Sequence, residues 1–225
     1  MQVRKDNLST GHYYHIFSRS IAKYVVCNNS EEYSRFIELL KMYRYANFNY
    51  KYSRFIELDE NYQKSIIQSL IKENNLLVEI VAFCLMPTHI HLLLKQVADN
   101  GISKYISNVL NSYSRYFNNK HKRTGPLWSG RFKNVLIKDD DQLLHLTRYI
   151  HLNPTSAGLT HKVSEWPYSS YLEYIDDKAI KANICSFENL FDFDAKGYKK
   201  FVLDHKDYQK EISKIKKIIV DDYIG

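Results

Sequence analysis

Several things are scarce in this chain, and each scarcity removes a class of protein. Its three cysteines, Cys27, Cys84 and Cys185, are far apart and form no CxxC pair. They read as reduced structural thiols of a cytoplasmic protein, not as a disulfide framework. No apolar run is long enough to cross a membrane, since VEIVAFCLM falls well short, and MQVRKDNLST has no apolar core of the signal-peptide kind. A GxxxxGK[ST] phosphate loop is missing, so nucleotide hydrolysis is not expected to drive the chemistry. The most telling gap is local: from Asn100 to Lys138 there is no Asp or Glu at all.

That same segment carries Lys104, Arg115, Lys120, Lys122, Arg123, Arg131, Lys133 and Lys138, eight cations against a net charge of +7 for all 225 residues. A surplus gathered in one stretch points to a polyanionic partner more strongly than the total does. Tyrosine is abundant, nineteen of it beside eleven phenylalanines and two tryptophans. Most of these rings belong to the core and to amphipathic surface, and a minority suits stacking on unpaired bases.

The chain is long enough for one compact domain with an appendage. GHYYHIFSR, Gly11–Arg19, reads as a first strand. A helix follows from Ser30-Glu31-Glu32, with Ser30 as its cap and Phe36, Leu39, Leu40 and Tyr43 at helical spacing. YSRFIEL occurs at Tyr33–Leu39 and again at Tyr52–Leu58, an offset of 19 that suggests a local duplication. Residues 47–75 read as an insertion, helical at Lys64–Lys72. Leu76–Leu85 and Thr88–Val97 are strands divided by Met86-Pro87. Asn100 opens a long amphipathic helix, Arg131–Lys138 is a short strand, and Asp139–Asn153 is a helix stopped by Pro154. Beyond Ser164 the chain reads as helical, with Ile212, Ile215 and Ile219 on one side of a last helix. This order predicts an α+β fold, one sheet covered by helices.

Two motifs carry chemistry. In a strand, His89 and His91 point to the same side and Ile90 to the other, so both imidazoles can hold one divalent ion. The bland alternative is a pair of partly buried histidines satisfied by backbone hydrogen bonds. In RYIHLNP, Tyr149 and Asn153 lie one helical turn apart, which places a hydroxyl beside an amide oxygen, and His145 shares their side of the helix. Here the alternative is a core ring and a helix-end amide.

With CLMPTHIHLLLK, SYSRYFNNKHKRTGPLWSGRFK, HLTRYIHLNPTSAG and the opening YYHIFSRS in matching order, the chain resembles the HUH single-tyrosine transposases. Within them it is most similar to the REP-associated tyrosine transposases, from roughly Gly11 to Tyr174. The resemblance implies a ferredoxin-like antiparallel sheet in a catalytic domain over 1–160, with a helical C-terminal extension over 161–225. It implies Tyr149 as nucleophile, His89, His91 and Asn153 as metal ligands, and a 5′-phosphotyrosine intermediate on single-stranded or hairpin DNA. It also implies Mg²⁺ or Mn²⁺. Imidazoles alone favour zinc, but phosphate oxygens and waters would fill the remaining positions of a harder cation. Two departures stand out. Thr88 replaces the usual Asn before the first histidine, which should alter a turn more than the ligands. Arg19-Ser20 replaces Arg-Gly.

Arg115, Lys120, Lys122, Arg123, Arg131 and Lys133 are the expected phosphate contacts, with Trp128 and Tyr116 as stacking rings. Two other readings compete with strand transfer. One is a binding protein derived from a transposase that grips hairpins without cutting. The other is a metal-dependent phosphodiesterase that uses water. The active unit is expected to be a monomer or homodimer.

Overall fold

The computed structural model describes residues 7–176, 184–188, 190–192 and 194–204. Its centre is a sheet of β1 (Tyr13–Arg19), β2 (Val78–Leu85), β3 (His89–Gln96) and β4 (Lys133–Leu136), in the order β2-β3-β1-β4 with every neighbouring pair antiparallel. Helix α1 (Ser30–Tyr43) lies in the connection from β1 to β2, and α4 (Gly101–Lys120) joins β3 to β4. Each crossover spans one intervening strand, which is the split βαβ arrangement of a ferredoxin-like fold. The α+β expectation and its ferredoxin-like sheet are thus met.

Alternation along the strands builds two different faces. Tyr14, Ile16, Ile90, Leu92 and Leu94 point into a core closed by α1 and α4. Phe17 and Leu93 point the other way, beneath α5 (Asp140–Ser156). In β2 a bulge between Ile80 and Ala82 shifts the parity. Val78 and Ile80 therefore share a side with Phe83 and Leu85, while Val81 and Ala82 both serve the opposite core. Because both faces are covered, the strands read as nearly unbroken apolar runs.

The helix ends correct two expectations. Asn29, not Ser30, caps α1, accepting from the Glu32 amide at 3.1 Å. Pro154 does not stop α5 but lies buried inside it. The missing N–H forfeits only one bond near the end of the helix, so the helix continues for two more residues. The true stop is Gly158, at φ 69°, with Leu159 N–H closing onto the Pro154 carbonyl at 2.9 Å. At the other end Asp139 caps α5, its carboxylate accepting from Gln142 N at 2.7 Å. Gly101 is required by close approach, since a β-carbon there would collide with the Leu77 carbonyl oxygen. This lets α4 start tight against β2.

The chain leaves the α1–β2 connection and rejoins it at one point. Ala46 N–H bonds the Asn75 carbonyl at 2.8 Å, and Leu77 N–H bonds that of Arg44 at 2.8 Å. Between them lie α2 (Tyr52–Phe55) and α3 (Glu60–Glu73), the second longer than Lys64–Lys72. The repeated YSRFIEL adopts two structures: in α1 it forms interior turns, whereas its second copy makes four helical residues and then unwinds. Past α5, α6 (Tyr171–Ile175) and α7 (Ala195–Leu203) pack around the buried His151. Its ring nitrogens meet Tyr198 Oη and Ser170 Oγ, each at 2.7 Å. Ile212, Ile215 and Ile219 lie outside the described residues.

Candidate active site

The site grows out of the register between β1 and β3. His91 sits opposite Phe17, and His89 opposite Arg19. Side chains of directly paired residues share a face, so both histidines project to the α5 side of the sheet. Their rings are 5.1 Å apart and perpendicular. From α5, Tyr149 meets His91 edge to face, with centroids 5.8 Å apart at 84°. One chain therefore assembles all three groups.

A third histidine belongs to this cluster, and sequence patterning did not single it out. His15 is buried on β1, and its Nε2 lies 3.0 Å from His91 Nδ1. The two rings are nearly coplanar, 14° apart, with centroids at 5.2 Å, so they meet edge to edge. Tyr149 also lies 6.2 Å from the His15 ring. The signal was its place in YYHIF, two residues from a residue paired with His91, but only a known register turns that into a contact.

His89 has a comparable partner. Thr88 Oγ1 is 3.0 Å from His89 Nδ1. Thr88, expected to alter a turn, thus also places its hydroxyl against the His89 ring. With both Nδ1 atoms engaged, the Nε2 atoms of His89 and His91 are bonded by no group among the described residues. That is the arrangement metal-binding imidazoles need, one nitrogen held and the other offered.

Electrostatics keep these rings neutral. Burial pushes His15 down to about 3 and His89 to about 4, the latter helped by the fixed charge of Arg19. Burial also drives His91 well below the ordinary histidine value, with His15, His89 and Arg19 adding to it. Neutral imidazole is the ligand form. Asn153 donates through Nδ2 to the Tyr149 carbonyl at 2.9 Å, which leaves Oδ1 as its acceptor. By their chemistry, two imidazole nitrogens and one amide oxygen would suit a divalent ion, with phosphate and water supplying the rest of its shell.

The remaining expected residues separate by face. Lys133 pairs with Phe17, which pairs with His91, so Lys133 is on the histidine side two strands away. Arg131 and Lys122 are exposed. Arg123 braces its own loop, donating to Asn118 Oδ1 at 3.0 Å and the Pro126 carbonyl at 2.9 Å. Trp128 packs on the α1/α4 core and donates to the Leu110 carbonyl at 3.4 Å. Arg115 and Lys120 are on α4, across the sheet from the histidines, with Lys120 held by Glu31 at 2.7 Å. Tyr116 donates to Glu31 at 2.9 Å and also lies on that far side. His145 approaches Phe201 at 5.4 Å and Asp141 at 3.5 Å.

Residues 37–153, just over half of the chain, match the family described as IS200-like transposases. The chain belongs to that family, and the matched stretch contains His89, His91, Tyr149 and Asn153. A Haemophilus influenzae protein named as a REP-associated tyrosine transposase is 36% identical over 104 residues, covering 41% of this chain and 58% of the relative. This match therefore spans little more than half of the relative's length. A solved structure of a REP-associated tyrosine transposase bound to a REP hairpin aligns with a TM-score of 0.51 at 15% identity. It covers 87% of this chain and 96% of that one, and what the two share is the fold.

Proposed function

We propose that this protein cuts and rejoins single-stranded DNA at hairpin-forming repeats, through a covalent bond to Tyr149. The observation that carries the reading is the convergence of His89, His91 and Tyr149 on one sheet face, with both imidazoles held through Nδ1. Tyr149 Oη attacks the scissile phosphorus, the bond to O3′ breaks, and the 5′-phosphate remains on the tyrosine. The phenolic proton is released to solvent, and the departing 3′-oxygen takes one up. Attack by a 3′-hydroxyl reverses these steps, so bond energy is conserved without a nucleotide. A divalent cation, Mg²⁺ or Mn²⁺, held by His89, His91 and Asn153 would draw charge from the phosphate oxygens as the reaction proceeds.

His15 acts as a positioning residue. For His91 Nε2 to offer a lone pair, His91 Nδ1–H must donate to His15 Nε2. The His15 proton then sits on Nδ1, a buried atom with no partner among the described residues. A ligand on His91 offsets that cost. Lys133 is assigned to phosphates entering the histidine side, and the exposed Lys122 and Arg131 to phosphates elsewhere along the strand.

The other tyrosines in the basic region fit nucleophilic attack poorly. Tyr113 is buried on the opposite face, its hydroxyl donated to the Val26 carbonyl, and Tyr116 is bonded to Glu31. The test uses a labelled repeat hairpin with Mn²⁺ and looks for a protein band shifted on a denaturing gel. Tyr149→Phe should bind DNA normally and form no adduct, while Tyr113→Phe and Tyr116→Phe retain it. An adduct that persists in Tyr149→Phe refutes the assignment. No adduct from the unmodified protein favours a hairpin-binding protein that does not cut.

A further inference from the structure

On the side of the molecule away from the histidines, α1, α4 and residues 45–54 enclose a groove of about 960 Å³. Its lining includes Arg35, Lys51, Arg54, Lys104, Arg115 and Lys120, and no carboxylate. Helix α4 forms one wall by presenting Lys104, Asn108, Asn111, Arg115 and Asn119 at successive turns, opposite the apolar stripe that it buries on the sheet. Residues 45–54 form the facing wall, with Lys51 and Arg54 exposed upon it.

The cations are not equivalent. Lys120 is paired with Glu31, Arg54 with Glu57 at 2.9 Å, and Arg35 lies between the rings of Tyr52 and Tyr116 at 4.9 and 4.7 Å. Lys51, Lys104 and Arg115 have no carboxylate partner among the described residues. All three are exposed.

We propose that this groove is a second nucleic-acid site, one that grips the sugar-phosphate backbone of double-helical DNA away from the point of cleavage. It rests on the reading that the protein acts on hairpin DNA, and it assigns the wall formed by residues 45–54 to holding the stem. Three observations select duplex over single strand. Of the aromatic lining, Tyr43, Tyr45 and Phe48 are buried, and the half-buried Tyr50 and Tyr116 rings are already engaged, Tyr50 by Phe48 and Phe55 and Tyr116 by Arg35 and Lys120, so unpaired bases find no open platform. The polar lining is lysine, arginine, asparagine and serine, which suits phosphate and sugar oxygens and carries little sequence information. Lys104 and Arg115 are about 16 Å apart along the helix axis, close to five base-pair steps at roughly 3.4 Å each. The sheet and a helix layer separate the groove from Tyr149. DNA filling both sites must therefore present its stem to one side and its unpaired flank to the other.

The test measures fluorescence anisotropy of the whole 225-residue chain with two probes, a duplex of about 16 base pairs, roughly one and a half helical turns, and an oligothymidine of about 12 nucleotides. Lys51→Ala/Lys104→Ala/Arg115→Ala should weaken duplex binding about tenfold or more and lower the slope of log K against log salt by about 2 to 3. Oligothymidine binding and Mn²⁺ affinity should stay unchanged. Lys64→Ala/Lys72→Ala/Lys138→Ala removes the same charge outside the groove and should leave both probes as they were. The proposal is overturned by an unchanged duplex slope, by equal loss for both probes, or by equal loss in the control variant. Failure of the strand-transfer reading would look different: no covalent adduct from the unmodified chain, whatever the duplex affinity.

Discussion

The two faces of the sheet are built from the same strands yet work on opposite terms. Toward α1 and α4 the strands send Tyr14, Ile16, Val78, Ile80, Phe83, Leu85, Ile90, Leu92 and Leu94, all buried in one apolar core, with Ser18, Gln96 and Asn134 as buried polar residues among them. Toward α5 the same strands send His15, His89 and His91 among Phe17, Leu93 and Ala82. The first face gains its stability from close packing, where each lost methylene is felt. On the second, neutral imidazoles are tolerated because neighbouring side chains satisfy one nitrogen of His89 and one of His91. A rigid apolar face thus supports a polar one whose geometry must not drift.

If this division holds, damage to each face should have a different signature. The largest effect on folding is expected from Phe36→Ala, which empties a fully buried site beneath α1. It should cost about 3 to 5 kcal/mol in urea denaturation, while the folded fraction still forms the DNA adduct at low temperature. An equal loss of adduct in fully folded protein would show that the faces are coupled.

On the polar face, His15→Leu should leave the fold intact and weaken Mn²⁺ binding, followed by electron paramagnetic resonance, by about 10- to 100-fold. His15→Gln keeps a polar atom near His91 Nδ1 and should recover part of that affinity. Mn²⁺ binding that is identical in His15→Leu and the unmodified protein would remove His15 from the site.

A smaller and pH-dependent effect is expected where α1 meets the end of α4. Glu32 is buried and accepts from Asn28 N at 2.7 Å, Asn28 Nδ2 at 2.9 Å and His121 Nε2 at 2.7 Å. Burial alone would raise its pKa, but these bonds outweigh burial and hold the carboxyl below its ordinary value of 4.5. A depressed carboxylate contributes stability above its unfolded pKa and loses it as the pH falls through the folded value. Glu32→Gln should therefore cost about 2 kcal/mol at pH 7. The gap to the unmodified protein should narrow as the pH drops below 4.5. A gap that stays constant from neutral to acid pH would mean that the carboxylate's charge contributes nothing.

Much of the architecture is legible in the residues alone, because periodicity is local. The strand period puts His89 and His91 on one side, and the helix period puts Tyr149 one turn from Asn153 whatever surrounds them. The sequence of elements likewise follows from capping residues, apolar spacing and breakers, down to the carboxylate of Asp139 at the start of α5. What tertiary structure alone decided is who meets whom across the chain. His15 and His91 are separated by 76 positions, and only the antiparallel register of β1 on β3 brings their nitrogens together. The acid-free segment looks like one basic surface, yet the fold divides it. Lys133 goes to the histidine face, Arg115 and Lys120 to the far side of α4, and Arg123 and Trp128 into bonds within the protein. Charge composition is a property of the segment. The direction in which each charge points depends on which side of the sheet its element packs, and that is set by burial of apolar surface far away in sequence.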